Sequence, residues 1–123
     1  MTHEPDVDGL NMVVLTGRLS SDPSERTLPS GDLLTGYEVT IPRCDGPADS
    51  VPVVLIGTAG PRGVTAGDRV VVIGRVRRRF FRAGGSTASR TEVVAERVVR
   101  ASRARSVRAA LERARHLIER QGA

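Results

Sequence analysis

Three apolar runs with the same pattern dominate this sequence. They read VVLTGRL (residues 13–19), VVLIGTA (53–59) and VVVIGRV (70–76), and each places a glycine at its fifth position. Valine and isoleucine favour β-strands, and a glycine inside a strand marks a bulge or a corner at which a small sheet bends. The spacing is too uneven for a solenoid repeat. The runs therefore predict three sharply bent strands of one sheet.

Two further strands fill the gaps between these runs. DLLTGYEVTIPR (32–43) follows the turn signal LPSGD, and SRTEVVAERVVRA (89–101) follows the glycine-rich RAGGST. The segment TAGPRGVTAG (58–67) is too rich in glycine and proline to hold much helix. Five strands joined by turns predict an all-β fold, a small barrel or sandwich.

The last segment, residues 102–123, has a different character. It combines good helix formers with apolar residues at helical spacing and arginines on the opposite face, which predicts a basic amphipathic α-helix. Four roles remain open for it: packing on its own sheet or a partner subunit, contact with nucleic acid, binding to a protein partner, or contact with a membrane surface. The apolar stripe comprises Val107, Ala110, Leu111, Ala114, Leu117 and Ile118.

The chain length of 123 residues suits a single domain. Residues 1–10 are acidic and have no apolar stretch, which predicts a disordered lead-in and not a signal peptide. The domain itself is predicted over residues 11–101. No apolar run is long enough to span a bilayer, and the single cysteine, Cys44, excludes an intrachain disulfide. These features favour a reducing compartment, and we expect a cytoplasmic protein with no membrane partner.

Catalytic and metal-binding patterns are not found in the sequence. His3 and His116 lie near opposite ends, and there is no cysteine pair, nucleophile elbow, P-loop lysine or dinucleotide fingerprint. Cys44 beside Asp45 is interpreted as a small loop residue and not as a nucleophile. We therefore expect a non-enzymatic protein without a metal or cofactor.

Charge is distributed unevenly along the chain. The net charge is +5, but residues 1–68 hold four arginines against ten acidic residues, whereas residues 69–123 hold fifteen arginines against four acidic residues. Such asymmetry favours a surface that binds a polyanion. The alternative is that the basic half is only a solvated surface.

The stretch GRVRRRFFRAGG (74–85) concentrates five arginines and both phenylalanines. Side chains alternate between the two faces of a strand, so Arg75, Arg77, Arg79 and Phe81 are expected on one face, with Phe80 directed to the core on the other. Guanidinium groups bind phosphates and an exposed ring stacks on bases, which predicts a platform for single-stranded nucleic acid. A register slip would exchange the two rings, and in the alternative interpretation both rings are core and the arginines form a solvated rim.

The order of motifs resembles that of bacterial single-stranded DNA-binding proteins. MVVLTGRLSSDPSERTLPSGDLLTGYEVT (12–40) is similar to the opening of that family, and VVLIG, GDRVVVIGRVRRRFF and TEVVAERV are similar to its later strands, so that the resemblance covers residues 11–100. It implies an oligonucleotide-binding (OB) fold, a five-stranded barrel that is usually a homotetramer. It also implies binding of single-stranded DNA without sequence preference in replication, recombination or repair, and thus association with the nucleoid. The matching motif residues are Gly17, Arg18, Leu19, Asp22, Pro23, Arg26, Pro29 and Gly31.

Candidate DNA contacts follow from both the strand alternation and the resemblance. Arg77, Arg79 and Phe81 occupy the motif positions at which the family places basic residues and a stacking ring. Tyr37 remains either a core residue or a second stacking ring. The predicted contact set is Arg75, Arg77, Arg79, Phe81, Arg82 and Arg90, with Arg18, Arg26 and Arg43 as flanking phosphate contacts.

The sequence departs from the family pattern in ways that bear on binding. Ser50 and Ile56 stand where the family places rings, residues 58–67 replace a helix, and a basic segment ending RQGA replaces an acidic tip that recruits partners. Each lost stack forfeits about 1–3 kcal/mol, so binding is expected to depend on arginine and to weaken steeply with salt.

Two alternative functions remain open at this point. The chain could be an interaction module that has lost most DNA binding and contacts a replication or repair protein, or it could bind single-stranded RNA. A homo-oligomer is expected in the leading interpretation, with a tetramer favoured over a dimer.

Overall fold

The computed structural model describes residues 8–122, so most of the predicted lead-in lies outside the described residues. Within this range the chain forms six strands followed by one helix. Their bounds are β1 Val13–Leu19, β2 Ser24–Thr27, β3 Leu33–Ile41, β4 Asp49–Ile56, β5 Arg69–Ala83, β6 Ser86–Arg100 and α1 Ala104–Gly122.

Five of the strands form a closed circuit of pairings in a strongly curved sheet. β5 pairs antiparallel with β1 and with β6, β6 pairs parallel with β4, and β4 pairs antiparallel with β3. β1 then meets β3 through Arg18 and Leu19, which completes the circuit. These five strands are the five that the sequence predicts.

The sixth strand, β2, was not predicted. It reads SERT, all four of its side chains are exposed, and it extends the sheet beyond β3. A strand with no buried residue leaves no alternation in the sequence, so only its pairing in the structure reveals it.

The main core lies within the circuit of strands. Val70 and Val72 of β5 are fully buried there against Leu19, Val39 and Val53. The loop after β4 adds Val64. Tyr37 is also part of this core and is only 4% exposed, so it is a core residue and not a second stacking ring.

A second, smaller core joins the helix to the outside of the sheet. Val71 and Ile73 point to the opposite face from Val70 and Val72, and they are buried against Ala110 and Ala114 of α1. The helix therefore packs on its own sheet. Leu111 and Ile118, which belong to the predicted apolar stripe, remain exposed, so the buried stripe is narrower than predicted.

The ladder between β5 and β6 contains a bulge at Gly74. Ile73 pairs with Arg97 whereas Gly74 pairs with Ala95, so Glu96 is an extra residue in β6. A Cβ at position 74 would collide with the carbonyl oxygen of Val94, which explains why glycine occurs in this apolar run. Beyond the bulge the two strands continue to a two-residue turn.

That turn is made by Gly84 and Gly85, whose φ angles are 57° and 85°. Positive φ at both central residues matches the right-handed twist of a hairpin and is the conformation that glycine adopts at little cost. The glycine-rich stretch predicted to be a turn therefore joins two strands that pair along their whole length.

Candidate nucleic-acid interface

The predicted binding stretch forms a projecting hairpin, termed here the distal hairpin: Arg75–Ala83 of β5 paired with Ser86–Val94 of β6. β1 pairs with β5 only as far as Gly74, and β4 pairs with β6 only from Val93 onward. Among residues 8–122, no third strand therefore lies beside most of the hairpin. Both of its faces are accessible over most of its length.

This geometry corrects the prediction for Phe80. The sequence interpretation placed Phe80 in the core, but its side chain is 64% exposed, and Phe81 is 38% exposed. Phe80 lies opposite Ser89, beyond the residues that pair with β1 or β4, so no strand of the described chain packs a core against its face. The hairpin thus presents two rings, one on each face.

Each ring has an arginine of the same face beside it. The guanidinium carbon of Arg78 lies 5.1 Å from the ring centre of Phe80, and that of Arg79 lies 5.1 Å from the ring centre of Phe81. Arg78 is also held by its neighbour strand, since its Nε and Nη2 donate to Ser89 Oγ at 3.2 and 3.1 Å. Cation–π contacts of this kind orient the rings and place positive charge next to them.

Three arginines of the hairpin surround one buried carboxylate. Glu92 is 2% exposed, and its Oε2 accepts a hydrogen bond from Nη2 of Arg77 at 2.5 Å. Arg79 Nε lies 3.6 Å from the same oxygen, and Arg90 Nε lies 3.6 Å from Oε1. We term these four residues the arginine cluster.

The arginine cluster is less positive than the sequence suggested. Arg90 also reaches Glu38 Oε1 on β3 at 3.4 Å, so three guanidinium groups face two carboxylates. The sequence interpretation missed Glu92 because it followed β5 alone. The sequence does contain this information, because a two-residue turn at Gly84 and Gly85 places Glu92 directly opposite Arg77 in the hairpin.

A groove of about 250 Å³ runs beside the arginine cluster toward β2. Arg26 of β2 lines it together with Arg79 and Arg90, so the structure brings one predicted flanking contact to the hairpin. Arg75 and Arg82 are exposed near the two ends of the β5 strand of the distal hairpin.

The other two predicted flanking residues lie apart from this groove. Arg18 donates from Nη1 to the carbonyl oxygen of Gly67 at 3.0 Å and lines a different cavity, with Arg69 and Arg100. Arg43 lies in the loop after β3, where its guanidinium pairs with Asp45 at 3.1 Å.

Tyr37 lies on the core side of the sheet, close to the loop of residues 58–67. Its hydroxyl sits so near Gly60 that a Cβ there would overlap it. Burial, and to a lesser extent the nearby charge of Glu25, raises the pKa of Tyr37 above its usual value of 10.0.

No group of three His, Cys, Asp or Glu side chains within residues 8–122 is arranged to hold a metal ion. Cys44 is exposed in a loop. None of the helical structure in that same range is both long and apolar enough to cross a membrane.

Comparison with known proteins agrees with the architecture. The model of the single-strand binding protein family matches residues 10–101, three quarters of the chain, while no curated protein matches it. Proteins of this family bind single-stranded DNA without catalysing a reaction, and they have the OB fold. The mostly β, strongly curved sheet with its closed circuit of pairings is the fold that the family implies. The chain therefore belongs to the single-strand binding protein family.

Proposed function

We propose that this chain binds single-stranded DNA without sequence preference through the distal hairpin and the groove beside it. The observation that carries the proposal is the pair of exposed rings, Phe80 and Phe81, each with a guanidinium group 5.1 Å from its centre. Apolar rings that the fold leaves in solvent beside positive charge are suited to stacking on bases whose phosphates are bound nearby.

The arginines and the rings have separate tasks in this proposal. Arg77, Arg79 and Arg90 bind the phosphate backbone together with Arg26 across the groove, and Phe81 stacks on a base on that face. Phe80 stacks on a base on the opposite face. Because stacking and phosphate contacts are made with every nucleotide, neither depends on sequence.

Arg75 and Arg82 extend the phosphate path along the hairpin. Arg18 and Arg43, which lie outside the groove, contribute as peripheral phosphate contacts for DNA that continues around the sheet. We further propose action in replication, recombination or repair at the nucleoid, with single-stranded DNA as the partner.

A homo-oligomer, with a tetramer favoured, is also part of the proposal. Among the described residues, Val13–Gly17 of β1 pair only with β5 on one side. Val14 of this segment is exposed. An unpaired strand edge with an apolar side chain is suited to pairing with another subunit.

The test is a fluorescence-anisotropy titration of the full chain with a labelled oligo-dT strand and a matched duplex, at about 50 and 200 mM salt. We expect clear preference for the single strand and a decrease in affinity with salt, with a slope of about −0.7 for each phosphate neutralised. Equal affinity for both DNAs would contradict the proposal, because it would mean that the rings take no part and the arginines act only as general charge.

A further inference from the structure

The arginine cluster contains a feature that phosphate binding alone does not require. A negative side chain, Glu92, lies at the centre of a surface proposed to bind a polyanion, and it is 98% covered by its surroundings. A carboxylate there weakens the electrostatic attraction to DNA, so its presence needs a reason that outweighs that loss.

We propose that Glu92 is a positioning residue, which holds the guanidinium groups of Arg77, Arg79 and Arg90 in the arrangement that receives the DNA phosphates. This inference rests on the proposed function and adds to it the residue that organises the site.

The first support is the position of Glu92 among charges that would otherwise repel. Arg79 and Arg90 lie directly opposite each other in the ladder between β5 and β6. Like charges directly opposite across two strands destabilise the pairing. Glu92 contacts both of them through different oxygens, at 3.6 Å each, so one carboxylate neutralises the repulsion between two strands.

The second support is the choice of nitrogen atoms. Arg79 faces Glu92 with its Nε, which lies 3.6 Å from Oε2. In this proposal Glu92 holds the Nε side of the guanidinium, and the terminal nitrogens, whose paired N–H groups match a phosphate, bind the ligand.

The third support is the conformational cost of binding. An arginine loses much rotamer freedom when it binds a phosphate, and it loses less when it is already held in place. Arg77, which donates to Glu92 at 2.5 Å and is only a third exposed, is the most restricted of the three.

The experiment uses one substitution for which the charge effect and the positioning effect change DNA affinity in opposite directions. Replacing Glu92 with Gln raises the net charge by one, so charge alone predicts tighter DNA binding, whereas loss of positioning predicts weaker binding. The matched control is Glu96→Gln, which makes the same charge change on the same strand but removes a pair with Arg113 of the helix instead.

The full-length chain and both variants are titrated with labelled oligo-dT at low salt. We expect Glu92→Gln to bind about three- to tenfold more weakly, and Glu96→Gln to bind as tightly as the parent or slightly more tightly. In parallel, the Nε–H resonances of Arg77, Arg79 and Arg90, observed by NMR, should lose their dispersion in Glu92→Gln. Glu92→Gln binding as tightly as Glu96→Gln, with arginine resonances unchanged, would overturn the proposal.

A second variant covers the case in which Glu92→Gln does not fold. Glu92→Asp keeps the net charge but shortens the side chain by one methylene, which withdraws the carboxylate from Arg79 and Arg90. Weaker binding with an unchanged circular-dichroism spectrum supports positioning, and unchanged affinity overturns it.

Arg79→Ala and Phe81→Ala, measured in the same titration, separate this proposal from the one on which it rests. If neither lowers the affinity, the proposed function itself fails. If both lower it and neither Glu92 variant does, only the positioning role is overturned.

Discussion

The two halves of β5 belong to one strand but have opposite surroundings. Val70–Ile73 lie between β1 and β6, and both of their faces are buried, one in the main core and one under the helix. Within the part of the chain that the structure describes, Arg75–Ala83 pair with β6 alone, and most of their side chains are exposed. The two halves differ in the number of neighbouring strands and not in strand conformation. We term Val70–Ile73 the scaffold half and Arg75–Ala83, which belong to the proposed DNA interface, the interface half.

Under the proposed function, stability and DNA binding therefore depend on separate residues of the same strand. A change before Gly74 removes packing on which the fold depends, whereas a change after it reaches groups that are already in solvent. Substitutions in the two halves should therefore affect different measurements.

The largest expected effect is in the scaffold half. Ile73→Ala removes a fully buried side chain between the sheet and the helix, and it should lower the free energy of unfolding by about 2–5 kcal/mol. The measurement is urea unfolding followed by circular dichroism. The control is Val76→Ala, only three residues further along but 46% exposed, which should cost less than about 1 kcal/mol. Equal losses for both variants would contradict the difference in burial between the two halves of β5.

The next effect is in the interface half and should appear in binding alone. Phe80→Ala and Phe81→Ala should each weaken oligo-dT binding by about 1–3 kcal/mol. Because both rings are exposed, the urea midpoint should stay close to that of the parent. Phe80→Leu and Phe81→Leu serve as controls, since leucine keeps apolar volume but lacks the ring, and they should bind about as weakly as the alanine variants.

A loss of stability with unchanged affinity for Phe81→Ala would place this residue in the scaffold instead. An effect confined to Phe81 would mean that DNA uses only the face of the hairpin that carries the arginine cluster.

The smallest expected effect is the pH dependence of stability that the burial of Tyr37 in the main core produces. Burial raises the pKa of Tyr37 above 10.0 in the folded chain, so the folded state keeps the phenol proton at a pH at which the unfolded state releases it. The stability is then fully present below about pH 10 and falls as the pH rises through the folded pKa, by about 1.4 kcal/mol for each pKa unit of difference.

The measurement is the phenolate absorbance of this single tyrosine, titrated in the folded chain and in urea. Tyr37→Phe should remove this part of the pH dependence of unfolding. A phenol that titrates at the same pH in both states would show that the core is open to water near Gly60.

Most of the scaffold could be predicted from the sequence because its signal is local. The three runs with glycine at the fifth position each contain enough β-branched residues to mark a strand, and the apolar spacing from Val107 to Ile118 marks the helix. The short strand β2 escaped prediction because none of its side chains is buried.

The interface could be predicted only in part, because its geometry depends on how far each strand extends. Alternation along β5 placed Arg77, Arg79 and Phe81 on one face, and the structure places them so. The predicted burial of Phe80 was wrong, because alternation assigns a residue to a face but does not show whether another element covers that face. Glu92 was missed, because its importance appears only when the two strands are placed in register.

The extra residue at Glu96 has a consequence for the whole charge pattern of β6. Between the bulge and the C-terminal end of β6, Val98 points into the main core. Between the bulge and the hairpin turn, Ala95 and Val93 point into it. The bulge thus reverses the phase of the strand. If Glu96 instead took a place in an uninterrupted ladder, it would pair with Gly74, and Val93 would replace Glu92 opposite Arg77. Glu92 and Arg90 would then turn away from Arg77 and Arg79. A homologous chain that lacks one residue at this point would therefore keep the same pairing without a bulge, whereas a chain that has the residue but no bulge would carry these side chains on the opposite face.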